Sequence, residues 1–379
     1  MNQPLETQAR IDAQNEVHLS HELKQTFGRI VLNLPGLEAV AKKVSDSFTC
    51  ESSILLDTAG YLFSLGGKRL RPVFTILMAQ SFSLNPEDHD LVQIAAGIEL
   101  IHLATLLHDD IIDNSTLRRN APSPLVKFGM PATLLTGDFL LVRAFGLCAQ
   151  LDKEIINATE EACVNLVEGE ISEGSLTDSI PTIDDYINQI AAKKTAALFA
   201  LGAFAAGHLA GLTIPEKNLL RDVGRDLGIS FQILDDILDV TSNDQVLGKA
   251  IGTDIRERKP SIINILWLQS GSQLAQKLLQ SPILQEPHQE DQFIKLALSE
   301  LNSQQPSVDL EQASRSSGEF DITQHAVTDP ISVAREIATY YANRAKDKFN
   351  QVKKSSSLTD HANCANVELL IDYTLNRLY

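Results

Sequence analysis

Cysteines, cationic charge and strand signals are all scarce in this chain. Four cysteines, Cys50, Cys148, Cys163 and Cys364, are scattered over 379 residues and form no CxxC pair. That excludes a zinc ribbon and a disulfide framework, and it suits a reducing cytoplasm. Lysine and arginine number 32 against 49 aspartates and glutamates, a formal net charge of −17. A sequence-independent nucleic-acid binder needs the opposite balance to displace counterions, so this composition points to a soluble protein that gathers cations. Neither GxxxxGK[ST] nor GxGxxG occurs, which removes the obvious nucleotide-phosphate loops. The first twenty residues lack the apolar core of a secretory signal. No series of alternating runs separated by Asn-Gly or Asp-Gly turns appears. The 21 residues from Thr195 to Pro215 carry no formal charge and could cross hydrocarbon by length. A buried helix at the centre of a large bundle gives the same pattern, so no transmembrane segment is expected.

What is present is apolar periodicity at helical spacing, as in Leu91, Ile94, Ala95, Ile98, Ile101, His102 and Thr105. Such patterns run over about 51–83, 88–113, 131–172, 183–210, 216–241, 261–280 and 331–379, with proline and glycine mostly between them. The expectation is an all-α fold, one domain spanning 1–379, whose long helices surround a deep interior. Residues 281–330 are polar by comparison. A short helix near Asp291–Leu301 is expected there, followed by a flexible surface insertion at 302–330.

Two acidic clusters stand inside apolar helical stretches: Asp109-Asp110-Ile111-Ile112-Asp113 and Asp235-Asp236-Ile237-Leu238-Asp239. On a helix the first and last carboxylates of each DDxxD lie about 40° apart and about 6 Å along the axis. At an effective dielectric near 20 two carboxylates at that distance repel by roughly 3 kcal/mol. Burial worsens the repulsion unless a cation neutralises it, and hard oxygen ligands select Mg²⁺ or Ca²⁺ over zinc. A solvated acidic face accounts for one such cluster. Two, each preceded by apolar residues, favour metal binding.

Cations stand beside them. Gly66-Gly67-Lys68-Arg69-Leu70-Arg71-Pro72 is a glycine turn followed by three bases, and Arg118-Arg119 follows Asp113 by five residues. Lys194-Thr195 opens the uncharged helix, and Lys249 and Lys259 follow the second cluster. Alone, each reads as a helix cap or a solvated pair, and His102 on its apolar face as a core histidine. Together with two acidic clusters they indicate a diphosphate site, since arginine offers a planar fork and lysine a point charge to phosphate.

With these segments in order, the sequence resembles the trans-isoprenyl diphosphate synthases, the polyprenyl synthetase family. GGKRLRP, ELIHLATLLHDDIIDNSTLRR, KKTAALF, FQILDDILD and LGKAIGTDIRERKPS carry the likeness, which covers about Ser52–Gly271 and 331–379. It implies the isoprenoid synthase fold, a homodimer, and Mg²⁺-dependent condensation of isopentenyl diphosphate with an allylic diphosphate. By that resemblance Asp109, Asp110, Asp113, Asp235, Asp236 and Asp239 hold metal. Arg118, Lys194, Lys249 and Lys259 meet the allylic diphosphate, and Lys68, Arg71, His102 and Arg119 hold isopentenyl diphosphate. Thr195 and Gln232 lie near the developing allylic cation. The chain departs from the family pattern at Asn120, Ser123-Pro124, Arg258, Ser261 and Ile263, none of which removes a charge from the site.

In the family, bulky residues four or five positions before the first cluster stop elongation early. Here those positions are Thr105 and Ala104, both small, so a product longer than farnesyl, a medium or long polyprenyl chain, is expected, with geranylgeranyl as the alternative. Three rivals are weaker. A terpene cyclase does not need GGKRLRP and Arg119, a non-catalytic regulatory subunit tends to lose aspartates, and a metal phosphohydrolase needs spaced histidines that are missing.

Overall fold

The computed structural model describes residues 23–174, 179–242, 251–280, 287–303 and 329–376. Lys249 and almost all of the 302–330 segment lie outside the described residues. The fold is all-α. It begins with α1 (residues 23–32), α2 (Leu37–Asp46), α3 (Ser53–Ser64) and α4 (Leu70–Gln80), followed by the long α5 (His89–Ile112). A two-residue hairpin pairs Leu117–Arg118 with Ala121–Pro122 and leads into α6 (Pro124–Phe128), α7 (Met130–Cys148) and α8 (Lys153–Glu173). Next come α9 (Ile183–Asp185), a π-helical segment (Tyr186–Thr195), α10 (Ala196–Leu209) and α11 (Ile214–Thr241). Four shorter or peripheral pieces follow, α12 (Thr253–Arg256), α13 (Ile262–Gln269), α14 (Gln273–Leu279) and α15 (Pro287–Ser303). The chain then closes with α16 (Pro330–Ser355) and α17 (His361–Leu375).

Several expected helices are broken by local chemistry that periodicity does not register. The 51–83 pattern splits at Gly66 and Gly67, whose φ of 77° and 130° suit glycine. The 131–172 pattern splits before Asp152, which accepts from the amides of Glu154 and Ile155 as an N-cap. Asp360 does the same for Ala362 and Asn363, dividing 331–379. Ser272 caps α14 after Gly271 in the 261–280 pattern. The helix expected near Asp291–Leu301 is longer, and α1 and α2 add helical structure ahead of the first expected pattern.

The centre is packed by α5, α10 and α11. Gly224 and Gly228, one turn apart on α11, let it touch neighbouring backbone: a Cβ at Gly224 would fall 2.3 Å from the Phe199 carbonyl oxygen, and one at Gly228 2.4 Å from Ala196 Cα. This close approach sets Thr195 beside Gln232, one turn beyond Gly228, and the Thr195 hydroxyl donates to Gln232 Oε1. On the far side α16 is fixed to α11 by Asp226, fully buried, which accepts from Arg344 Nε at 2.8 Å and meets Lys348 Nζ at 2.9 Å.

Among the described residues, three helical stretches are long and apolar enough to span a membrane: His89–Ile112, Met130–Cys148 and Ile183–Leu209. The first and third bury 72% and 78% of that stretch inside the bundle, while Met130–Cys148 buries 39%. The stretch singled out in the sequence, from Thr195 onward, therefore packs inside the fold.

Candidate active site

A cavity of about 1390 Å³ opens among α5, α8, the π-helical segment and α11. Asp109 on α5 and Asp235 and Asp236 on α11 line it. Their surroundings differ. Burial pushes the Asp109 carboxyl up to about 7, with Lys194 pulling it back. Asp236 is nearly fully buried and accepts from the Tyr186 hydroxyl at 2.7 Å, Gln232 Nε2 at 2.8 Å and the Ile262 amide at 2.9 Å. Asp110 stands behind the wall residue Arg118, where Oδ1 takes Arg118 Nε at 2.9 Å and Oδ2 has no hydrogen-bond partner. Asp113, at the end of α5, holds Lys259 Nζ at 2.8 Å. Asp239 accepts from the Asp254 amide at 3.0 Å and so orders α12. The six aspartates therefore divide into wall residues and residues that order their neighbours, a division invisible in the DDxxD spacing.

The cations cluster around them. Lys194 lies between Glu170 at 2.9 Å and Glu173. Burial alone would lower it, but Glu173, Glu170 and Asp109 outweigh burial and hold it above the usual lysine range. Lys259 also meets Glu257 at 3.0 Å, and Arg118 and Thr195 share the same cavity wall. The π-helical segment is a wider turn of a kind that favours functional sites, and it places Tyr186, Ile190 and Lys194 on one face toward the cavity. Lys68, Arg71, His102 and Arg119 line a second lobe of the same cavity. Arg71 Nε and Arg119 Nη1 are buried there without a hydrogen-bond partner. Such donors are costly unless an anion reaches them. Asn120, where the family usually has glycine, keeps the hairpin turn, because Arg119 and Asn120 both adopt positive φ, 53° and 63°, and asparagine tolerates that region. Arg258, another replacement of glycine, sits at φ 56° and donates its Nε to the Leu278 carbonyl oxygen at 3.0 Å.

Sequence reasoning missed Tyr186, Glu170 and Glu173. The last two stand at i, i+3 on α8 beside Gly169, whose missing Cβ lets the Lys194 backbone approach within 2.6 Å of that position. Glu168, Glu170 and Glu173 crowded around Gly169 at the end of α8 were the available signal.

His102 Nε2 and Arg71 Nη1 are 3.2 Å apart, so the ring is the acceptor and its other nitrogen carries the proton. Burial, and after it Arg71, Arg119, Arg118 and Arg69, push its pKa well below 6.5. The unfolded chain binds a proton here that the folded chain rejects. Folding stability is therefore fully present above the unfolded value and falls as pH drops below about 6.5, by up to about 1.4 kcal/mol per pH unit. His102→Gln, whose side-chain oxygen can accept from Arg71, should flatten that part of the profile in urea unfolding measured between pH 5 and 7. An unchanged slope would show that other groups set it.

Away from the charges the cavity becomes apolar, walled by Ile101, Thr105, Leu141, Phe145, Val164 and Val167, and reaches Glu160. From Glu173 to Glu160 is about 20 Å along α8. Thr105 is on this wall. Ala104 is not: it is fully buried in the packing of α5, which corrects the expectation that both residues border a growing chain.

Among the described residues no three His, Cys, Asp or Glu side chains gather tightly enough to hold a metal ion by themselves. The chemistry of the donors still fits a hard divalent cation. They are carboxylate oxygens, and burial drives the Asp109 carboxyl toward neutrality even with Lys194 and Arg118 nearby, so a further cation there would restore its charge.

Comparison with known proteins supplies independent support. The polyprenyl synthetase family model matches residues 52–301. The octaprenyl diphosphate synthase of Escherichia coli K12 is 36% identical over 233 residues, 61% of this chain and 71% of that protein. The geranylgeranyl diphosphate synthase of Sulfolobus acidocaldarius is 31% identical over 331 residues, 85% of this chain and 91% of the other. Among solved structures, a polyprenyl synthase from Caulobacter crescentus complexed with calcium and isoprenyl diphosphate superposes with a TM-score of 0.74 at 25% identity, covering 92% of this chain and 97% of that one. A decaprenyl diphosphate synthase from Rhodobacter capsulatus gives 0.73 at 25% identity, covering 95% and 99%. The chain belongs to the polyprenyl synthetase family and is a prenyl diphosphate synthase.

Proposed function

We propose that this enzyme condenses isopentenyl diphosphate head-to-tail with an allylic diphosphate, using Mg²⁺, and releases a trans-polyprenyl diphosphate longer than farnesyl. The observation that carries this reading is the polarity of one cavity: two cationic lobes and facing aspartates at one end, an apolar channel at the other. Asp109, Asp113 and Asp235 are the residues we assign to Mg²⁺, with Asp110, Asp236 and Asp239 ordering them and their neighbours. When bound, the metal supplies positive charge that stabilises the departing pyrophosphate. Arg118, Lys194 and Lys259 add fixed charge to the same leaving group, Lys194 exchanging its bonds to Glu170 and Glu173 for phosphate oxygens. Lys249 joins them in this assignment. Lys68, Arg71, His102 and Arg119 hold the second diphosphate so that its double bond lies within reach of the allylic carbon. The Gln232 side chain, fixed by Thr195 and Asp236, bounds the reacting centre. No side chain need act as a nucleophile, and the final proton can leave on pyrophosphate.

The product grows along the wall containing Thr105. Purified enzyme supplied with farnesyl diphosphate, labelled isopentenyl diphosphate and Mg²⁺ should yield products longer than C20, sized by mass spectrometry. Thr105→Phe should cut the main product to geranylgeranyl or shorter while initial rates stay within about tenfold. An unchanged length distribution would remove Thr105 from the channel. The enzyme is further proposed to act as a cytoplasmic homodimer. Its four described cysteines are all free thiols, as in a reducing compartment. Leu135 and Val142 on α7 are 56% and 67% accessible, and the cavity residues Val164, Val167 and Ile171 on α8 are 50–77% accessible, so a second copy would cover α7 and close the open side of the channel. A monomer by light scattering would leave that face to another occupant.

A further inference from the structure

One buried carboxylate stands among the arginines of the isopentenyl diphosphate lobe and has no part in the mechanism above. Glu99 lies one turn before His102 on α5 and is only 4% exposed. It pairs with Arg69, whose guanidinium also donates to the Phe63 carbonyl oxygen at 3.2 Å and stacks 4.0 Å over the Phe63 ring. Arg69 is thus already engaged by protein groups. Its backbone is left-handed, φ 50° and ψ 37°, two residues after Gly67 and at the N-cap of α4. Such a conformation costs an L-residue about 1 kcal/mol or more and persists only where its surroundings impose it. Arg119 leans on the same turn: its guanidinium nitrogen Nη2 sits 2.7 Å from where a Gly67 Cβ would be. Arg69 and Glu99 also line a second cavity of about 530 Å³, bounded by α1 and α2, and so form the partition behind the substrate lobe.

We propose that Glu99 and Arg69 are a positioning pair that fixes the left-handed turn and, through it, places Lys68, Arg71 and Arg119 around the isopentenyl diphosphate. The inference rests on the function proposed above. Neither member need touch the substrate, because the donors left for it are Arg71 Nε and Arg119 Nη1. The carboxylate also lets buried guanidiniums gather before a diphosphate arrives. Burial lowers Arg71 from the usual guanidinium range, and Glu99 is the strongest influence opposing that shift. Loss of the pair should therefore be felt at one substrate and not at the other.

The test uses the full chain with Glu99→Ala, Glu99→Gln, Arg69→Ala and the double variant. Kd for isopentenyl diphosphate is read by calorimetry without the allylic substrate, and KM is measured for each substrate. Glu99→Ala should weaken isopentenyl diphosphate about tenfold, with kcat and the farnesyl diphosphate KM within threefold. The double variant should be no worse than the more affected single one, since the pair acts as a unit. Glu99→Gln keeps the shape and one hydrogen bond but drops the charge, so a selective loss of about threefold is expected even if Glu99→Ala fails to fold. Equal weakening of both substrates, additive single variants, or wild-type affinity in both Glu99 variants would overturn the proposal. If the wild-type enzyme itself fails to bind isopentenyl diphosphate, the functional reading fails instead.

Discussion

Asp109→Asn and Asp235→Asn are each expected to lower kcat about a thousandfold while leaving the fold intact. Both side chains stand on the cavity wall, one on α5 and one on α11. Asparagine keeps the volume and one oxygen, so packing is preserved and only charge is lost. That charge is what a divalent cation and a departing pyrophosphate would read, and removing one preorganised electrostatic contact typically costs about 10²–10³ in rate. Loss of a metal ligand goes to the upper end of that range. Asp239→Asn provides the contrast. Its carboxylate receives the Asp254 amide, so weakening that bond should disturb α12 more than the chemistry. Steady-state rates with saturating substrates, with circular dichroism as the fold control, decide the matter. A rate within tenfold of wild type for Asp235→Asn would displace it from the metal site.

The second large effect concerns stability. Asp226→Ala should destabilise the protein by about 3–5 kcal/mol, because it breaks a buried ionic cluster and removes a partner of two cations. Asp226 is inaccessible on α11, and it ties down Arg344 and Lys348 of α16. Arg344 also stacks 4.6 Å from the Tyr341 ring, so its geometry is fixed from both sides. Urea unfolding should show a lower midpoint, with activity per folded molecule close to wild type because the cluster faces away from the cavity. A shift below about 1 kcal/mol would mean that Arg344 and Lys348 find water as readily as they found Asp226.

Much of this was legible in the sequence, and the reasons are particular. The helices of α5 and α11 announce themselves by apolar spacing, and the two aspartate clusters by placing like charges where a helix gains nothing from them. Family likeness then ordered the basic residues. What did not show was direction. Asp109 and Asp110 are neighbours in sequence, yet one borders the cavity and the other stands behind the wall residue Arg118 and pairs with it, because adjacent helical residues point about 100° apart. The same offset separates Thr105 from Ala104. The π-helical segment was hidden too, since periodicity counting assumes one pitch. Breaks at Asp152, Asp360 and Ser272 depend on side chain–backbone hydrogen bonds that apolar patterns do not record.

Arg69, Arg119 and Arg258 share backbone angles that glycine would hold with less strain, φ 50°, 53° and 56°. Each exchanges about 1 kcal/mol of folding free energy for a guanidinium in a chosen place. At Arg119, whose guanidinium lines the substrate cavity, heat resistance and catalytic efficiency are therefore opposed. A library selected for survival at high temperature alone would drift toward glycine there and enrich robust but slow enzymes. Engineering this scaffold for a hotter process calls for selection on product formation, with thermal gains sought in the packing between α11 and α16.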